Sequence, residues 1–134
     1  MSSLVGMRGL SFVLGSVVLL AGCYTPVGAF TPQSHSVPGN QICSDAIELG
    51  PGDLEAVRKA GGILLGRLEL SLDDGWPNKE AAAVGGTHYL KRGSGVSYTS
   101  HGLRSSRHED AVFDVYRVGK AGWQLLPTGL RPAN

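Results

Sequence analysis

The chain has 134 residues, and its 42% of hydrophobic and 17% of charged side chains are typical of a globular protein. Its 12 basic and 11 acidic side chains give a formal net charge of +1 at pH 7. This near-neutral balance excludes the strongly basic surface that nucleic-acid binding needs, so we expect no nucleic-acid partner.

The first 22 residues have the pattern of a bacterial export signal. Arg8 is the only charged side chain before Asp45, and an uncharged stretch rich in Leu and Val covers residues 9–22. That stretch is shorter than the about 20 residues of a spanning helix. It ends in Leu-Leu-Ala-Gly-Cys23, which resembles the lipobox of bacterial lipoproteins. The alternative is a plain secretory signal that is cleaved nearby and leaves Cys23 an ordinary cysteine.

The lipobox resemblance implies that residues 1–22 are removed and that Cys23 carries the lipid. We then expect the membrane to be a partner through this lipid, because several acyl chains together hold a protein stably on a bilayer. The residue after the cysteine is Tyr24 and not Asp, the residue that retains such proteins in the inner membrane. The resemblance therefore implies an outer-membrane location, facing the periplasm or the cell surface.

Three segments are expected to follow the signal. Residues 24–41 contain three prolines, two glycines and no charged residue, which predicts a disordered tether over residues 23–41. A small domain is expected over residues 42–126 and a disordered tail over residues 127–134. Cys43 would be the only thiol left, which precludes an intramolecular disulfide. It is interpreted as a small apolar residue, with intermolecular pairing, redox chemistry and metal binding left open.

The predicted domain begins with two helices and two strands. Asp53 is expected to cap a helix over residues 54–60, and period-two alternation predicts a strand over residues 63–72, with Leu65 on the outer face. Pro77 opens a second helix that ends at Gly85-Gly86. A strand over residues 87–90 comes next.

The second half of the domain is expected to hold a long loop and a hairpin. Residues 92–110 are rich in Ser, Gly, Arg and His with few apolar residues, which predicts a loop that is functional or mobile. Residues 111–118 and 123–126 then read as a β-hairpin around Gly119 and Gly122. The predicted fold class is α+β, a small and mostly antiparallel sheet with two short helices on one face.

The lipobox, the Pro-rich segment, the Ala-rich helix that leads into Gly-Gly-Thr-His88, and the late strand ending Val-Tyr-Arg-Val118 together resemble small proteobacterial envelope lipoproteins. These are in turn distantly similar to the outer-membrane stress-sensor lipoprotein of the Rcs pathway. That sensor's domain is held by two disulfides, whereas this chain has only Cys43 beyond the lipobox. Signalling through a disulfide state therefore does not carry over.

His88, His101 and His108, with Glu109 and Asp110, form the one set of side chains with metal-ligand chemistry. A metal-binding or metal-sensing lipoprotein that uses these histidines is one hypothesis, and a solvated loop with a packed His88 is the alternative. No cofactor is predicted, because Gly85 and Gly86 follow a helix and phosphate loops precede one.

The predicted loop is locally basic, since it contains or adjoins Lys91, Arg92, Arg104 and Arg107. The leading hypothesis is a non-enzymatic lipoprotein that binds an envelope protein or a cell-wall component through this loop or a sheet edge. An enzyme is the least favoured class, because neither Ser94 nor Ser97 has the strand-turn-helix context of a nucleophile elbow.

Overall fold

A computed structural model describes residues 24–33 and 44–133 of the chain. Its centre is a five-stranded sheet in the order β1-β3-β5-β4-β2. The strands are β1 Ala29–Pro32, β2 Ile47–Glu48, β3 Ile63–Ser71, β4 His88–His101 and β5 Arg104–Arg117. Three of the four strand pairs are antiparallel, and β2 pairs with β4 in parallel. The predicted α+β class with a mostly antiparallel sheet is therefore confirmed.

Two short α-helices lie where the sequence predicts them, α1 at Asp53–Lys59 and α2 at Pro77–Ala83. In α1 the predicted capping role of Asp53 is wrong, because Gly52, with φ 86°, holds the N-cap position. Asp53 is the first helical residue, and its carboxylate accepts a hydrogen bond of 2.7 Å from the N–H of Gly50. It still places a negative charge at the positive end of the helix dipole.

The strands that flank α2 run parallel to each other without being neighbours. Both β3 and β4 pair antiparallel with β5, which lies between them. The sheet has two ends along the direction of its strands. One end lies at Ser71 and Asp110, and the other lies at Ile63 and Arg117. The first carries the β4–β5 turn, and the second receives the C-terminal segment.

Buried side chains form two clusters that share β5. Phe113 and Val115 belong to the first cluster, together with Ala81 and Ala82 of α2. Tyr116 belongs to the second, together with Val57 of α1. Since neighbouring residues of a strand point to opposite faces, the helices pack against different faces of the sheet at β5, and the prediction that both lie on one face is wrong. Val57 is fully buried, which contributes about 1.5–3 kcal/mol.

A β-bulge changes the predicted alternation at the start of β3. Leu64 pairs with Tyr116 and Gly66 with Val115, so that Leu65 is an extra residue on β3. Leu65 is only 1% exposed, and the prediction that it faces outward is wrong. Leu68 and Leu70 face the core as the period-two pattern predicts.

The predicted loop over residues 92–110 is instead the long β4–β5 hairpin, so this prediction is wrong. The two strands pair from His88 and Tyr116 to His101 and Arg104. Gly102, with φ 65°, and Leu103 form the two-residue turn, and a glycine with positive φ at the first central position is typical of a type II′ turn. Lys91 to Ser100 are all exposed, so no apolar alternation marks the strand in the sequence.

The predicted hairpin over residues 111–126 is also wrong. The chain leaves β5 at Arg117 and forms a 3₁₀-helix at Lys120–Leu125, and β5 pairs with β3 and β4 instead. The expected disordered tail contains a second 3₁₀-helix, Thr128–Leu130, and Leu130 is buried in the second cluster.

The tether predicted over residues 23–41 is wrong for residues 24–33. Here Ala29–Pro32 forms strand β1 at the sheet edge, in register with Glu69 to Gly66 of β3. Proline is tolerated at such an edge position, where its missing N–H costs no ladder bond. Residues 34–41 of the predicted tether lie outside the described residues, as do the signal at residues 1–22, Cys23 and Cys43.

Candidate functional site

The structure does not bring the three predicted metal-ligating histidines together. His88 begins β4 and His101 ends it, so about 40 Å of extended strand separates their backbones. His108 lies on β5, and its Nδ1 lies 3.5 Å from Oδ2 of Asp73. Glu109 and Asp110 follow it on β5. The residues that the structure describes contain no group of three or more metal-ligating side chains.

His88 is instead a fully buried histidine with both ring nitrogens hydrogen-bonded. Its Nε2 lies 2.7 Å from the carbonyl oxygen of Leu130, which can only accept, so Nε2 carries the proton. The unprotonated Nδ1 then accepts from the Thr87 hydroxyl at 2.8 Å. That hydroxyl accepts in turn from the N–H of Val118 at 2.9 Å. Burial lowers the pKa of His88, and the bond to Leu130 offsets this in part.

The second sheet end holds a cavity of about 260 Å³ beside this network. Thr87, Arg117, Lys120 and Trp123 are among the residues that line it. The indole N–H of Trp123 is used by the carbonyl of Val118 at 2.9 Å, which fixes the ring at the cavity wall. Asp45 also lines it, so the cavity offers charges of both signs beside an aromatic surface. The sequence does not predict this cavity, because its pattern favours a hairpin over residues 111–126.

The β4–β5 hairpin continues well beyond the rest of the sheet. The last pair between β3 and β5 joins Ser71 to Asp110, and Gly95 is the β4 partner of Asp110. Residues 96–109, which we call the outer ribbon, therefore have only one another as strand partners, and the carbonyl oxygen of Glu109 accepts one further hydrogen bond of 2.8 Å from the N–H of Leu72. They contribute no side chain to either buried cluster.

The outer ribbon and its root differ in charge. Lys91, Arg92, Arg104 and Arg107 are the charged side chains between residues 91 and 107. Arg92 forms an ion pair of 3.3 Å with Asp114. Within the described part of the chain no ion pair involves Lys91, Arg104 or Arg107. Glu109 is the last residue of the outer ribbon and its one acidic residue, and Asp73, Asp74 and Asp110 lie at the root.

Large apolar side chains accompany these basic residues on the outer ribbon. Leu103 at the turn is fully exposed, Tyr98 is 70% exposed and Val96 is 45% exposed. Tyr98 pairs with Arg107, so both lie on the same face of the ribbon. The outer ribbon therefore presents apolar and basic groups together. The sequence pattern predicts the basic groups but not the exposed apolar ones.

The N-terminal segment is fixed to the same sheet end by Glu80, a residue that the sequence analysis did not single out. The Glu80 carboxylate is 1% exposed, and its Oε1 accepts from the N–H groups of Val27 at 2.7 Å and Gly28 at 3.0 Å. The hydroxyl of Tyr24 donates to the same oxygen at 3.1 Å. An acidic residue in the first turn of a helix is ordinarily explained by its favourable interaction with the helix dipole. The sequence therefore does not predict that Glu80 is buried and binds the N-terminal segment.

Tyr24 also contacts the loop before α2. The N–H of Trp76 donates to the Tyr24 oxygen at 3.5 Å. Burial raises the pKa of the Tyr24 phenol, the Trp76 N–H opposes that change, and the Glu80 carboxylate adds to it. The phenol is therefore protonated at neutral pH and serves as the donor to Glu80. Trp76 itself is 64% exposed and Val27 is 58% exposed.

No family model, no curated protein and no solved structure matches the chain. Among the described residues, no helix combines the length and the apolar character that crossing a membrane requires.

Proposed function

We propose that this protein is a lipid-anchored module of the bacterial cell envelope that binds an envelope component through the outer ribbon and has no catalytic role. Anchoring is supported by the sequence pattern that ends at Cys23, and the Tyr24 residue that follows it favours the outer membrane.

The outer ribbon is the observation that carries the binding role. Residues 96–109 lie outside both buried clusters, and a two-stranded hairpin in water is marginally stable at best. Such a segment adds little to the stability of the domain. Its exposed Tyr98 and Leu103 beside Arg107 are the side chains that protein surfaces use for recognition, since aromatic and Arg residues dominate binding energy.

Labelling with an alkyne-modified palmitate tests the anchor. In a bacterial host that processes lipoproteins, the full chain should incorporate the label and fractionate with membranes, because the Cys23 thiol accepts the lipid. Cys23→Ala should remove both properties, and the matched variant Cys43→Ala should retain them. Equal labelling of wild type and Cys23→Ala would contradict the anchoring proposal.

Replacement of the outer ribbon tests the binding role. Substituting residues 96–109 with Asn-Gly keeps the pairing of Gly95 with Asp110 and closes it with a tight turn. We expect the free energy of unfolding to change by less than about 1 kcal/mol, because no core residue is removed. Photo-crosslinks to envelope components in whole cells should disappear with the ribbon. Crosslinks that persist unchanged would show that another surface binds.

A further inference from the structure

The lipid-bearing position and the outer ribbon lie at the same end of the sheet. β1 runs antiparallel to β3 from Ala29 opposite Glu69, so the chain before Ala29 extends toward Ser71. Val27 and Asp110 line one surface depression together with Ser71. The ribbon begins at that same Asp110. A lipid on the residue before Tyr24 is thus attached one peptide unit from the folded body, with no tether between them.

One face of the ribbon is directed to the side of the sheet on which α2 and Trp76 lie. Phe113 and Ala111 pack in the cluster with α2, and alternate residues of a strand share a face. Arg107 follows this alternation on β5, and its partner Tyr98 is on the same face. Glu109 shares this face with Arg107, whereas Arg104 lies on the opposite face next to the turn, so the two basic side chains of the ribbon come together only at its outer end.

We propose that the outer end of the ribbon, residues 98–107, contacts the anionic phospholipid surface of the membrane that holds the anchor. This inference rests on the proposed anchoring. Residues 98–107 carry Arg104 and Arg107, one on each face, and no acidic residue. Neither Arg forms an ion pair in the described part of the chain, and basic side chains near an anionic leaflet are attracted to it. Leu103 and Tyr98 supply apolar contact area. Exposed Trp76 beside the anchor suits the headgroup region, where indole rings concentrate.

The ribbon contact would set the orientation of the domain more than its affinity, because the acyl chains already hold the protein on the membrane. Without the contact the domain turns about a single attachment point. With it, two points at one sheet end lie on the bilayer, and the cavity lined by Thr87 and Trp123 at the opposite end faces away from the lipid.

Hydrogen exchange on reconstituted vesicles tests the inference with the full lipidated chain. Amides of residues 96–109 should exchange about tenfold more slowly on phosphatidylcholine vesicles that contain phosphatidylglycerol than on phosphatidylcholine alone. The difference should vanish in Arg104→Glu/Arg107→Glu. It should persist in Arg58→Glu/Lys59→Glu, which reverses two charges on exposed residues of α1.

Flotation of the same vesicles separates the two proposals. If wild type floats and Cys23→Ala does not, the anchor stands, and absent protection of the ribbon then overturns the lipid contact alone. If wild type does not float, the anchoring proposal fails. Protection that appears on neutral vesicles only after peptidoglycan fragments are added would assign the ribbon to the cell wall and contradict the membrane contact.

Discussion

The ring of His88 is held by two uncharged partners in a site from which water is excluded. The Thr87 hydroxyl and the Leu130 carbonyl satisfy the neutral imidazole with one tautomer, whereas an imidazolium would itself donate at Nδ1, where the Thr87 hydroxyl is the donor to the neutral ring. Burial therefore disfavours the charged form and lowers the pKa from its ordinary 6.5. This polar network connects the start of β4 to the C-terminal segment, which makes it structural.

The lowered pKa of His88 predicts a loss of stability in mild acid. Above pH 6.5 neither the folded nor the unfolded chain protonates this ring, and the full stability is present. As the pH falls below 6.5 the unfolded chain binds a proton that the folded chain rejects. The free energy of unfolding should therefore fall by up to about 1.4 kcal/mol per pH unit until the folded pKa is reached. Urea denaturation at pH 7.5, 6.5, 6.0 and 5.5 measures this slope.

Two variants identify the histidine responsible for that slope. His88→Gln should be less stable than wild type at pH 7.5 and should lose the dependence between pH 6.5 and 5.5. His108→Gln should keep it, because that variant leaves the Thr87 and Leu130 contacts of His88 unchanged. An unchanged slope in His88→Gln would refute the assignment.

The sequence predicts those elements whose apolar side chains recur at the spacing of a helix or a strand and face the core. Both helices and the central part of β3 carry apolar side chains at helical or strand spacing because one side of each packs in a cluster. The outer part of β4 carries no such signal, since Ser97, Thr99 and Ser100 are exposed whichever face they occupy. Its pairing is fixed by the Gly102 turn and by its neighbour β5, neither of which a local pattern reveals.

The junction between α2 and β4 is an element-scale feature that a pair of glycines makes possible. Gly85, with φ 91°, ends the helix. A Cβ on Gly86 would overlap Cγ1 of Val115 and would stand 2.9 Å from the carbonyl oxygen of Ala81. The close approach of this turn to β5 therefore requires a residue without a side chain.

Gly86→Ala should lower the free energy of unfolding by about 1–3 kcal/mol, because Val115 is fully buried and has no room to move. Gly93→Ala is the matched control on β4, since a Cβ there meets nothing within 4 Å. Guanidinium denaturation of both variants gives the comparison. Equal stabilities would mean that the turn relaxes at little cost.

At the scale of the whole molecule, the two chain ends complete the fold in ways that composition conceals. The Pro-rich segment after Cys23 reads as a tether, yet Val27 and Gly28 are fixed by Glu80 and β1 extends the sheet. The C-terminal segment reads as a tail, yet Leu130 fills the second cluster. Both segments owe their structure to partners more than 40 residues away. The candidate site residues differ in the same way. The basic residues of the ribbon form a local sequence pattern, whereas the role of Glu80 and the lining of the cavity depend on contacts between distant parts of the chain.

Removal of the C-terminal segment should show how far the second cluster depends on it. A chain that ends at Pro127 loses Leu130 and the carbonyl that accepts from His88 Nε2. We expect its free energy of unfolding to drop by about 2–5 kcal/mol, as for deletion of a buried Leu. A chain that ends at Arg131 keeps Leu130 and the bond from Arg131 Nε to the Leu126 carbonyl at 3.0 Å, and it should match wild type. The shorter chain should also show a weaker pH dependence below 6.5, because water reaches His88 and its charged form becomes less costly. Equal stability of the two truncated chains would show that Leu130 rests on the surface of a core that is complete without it.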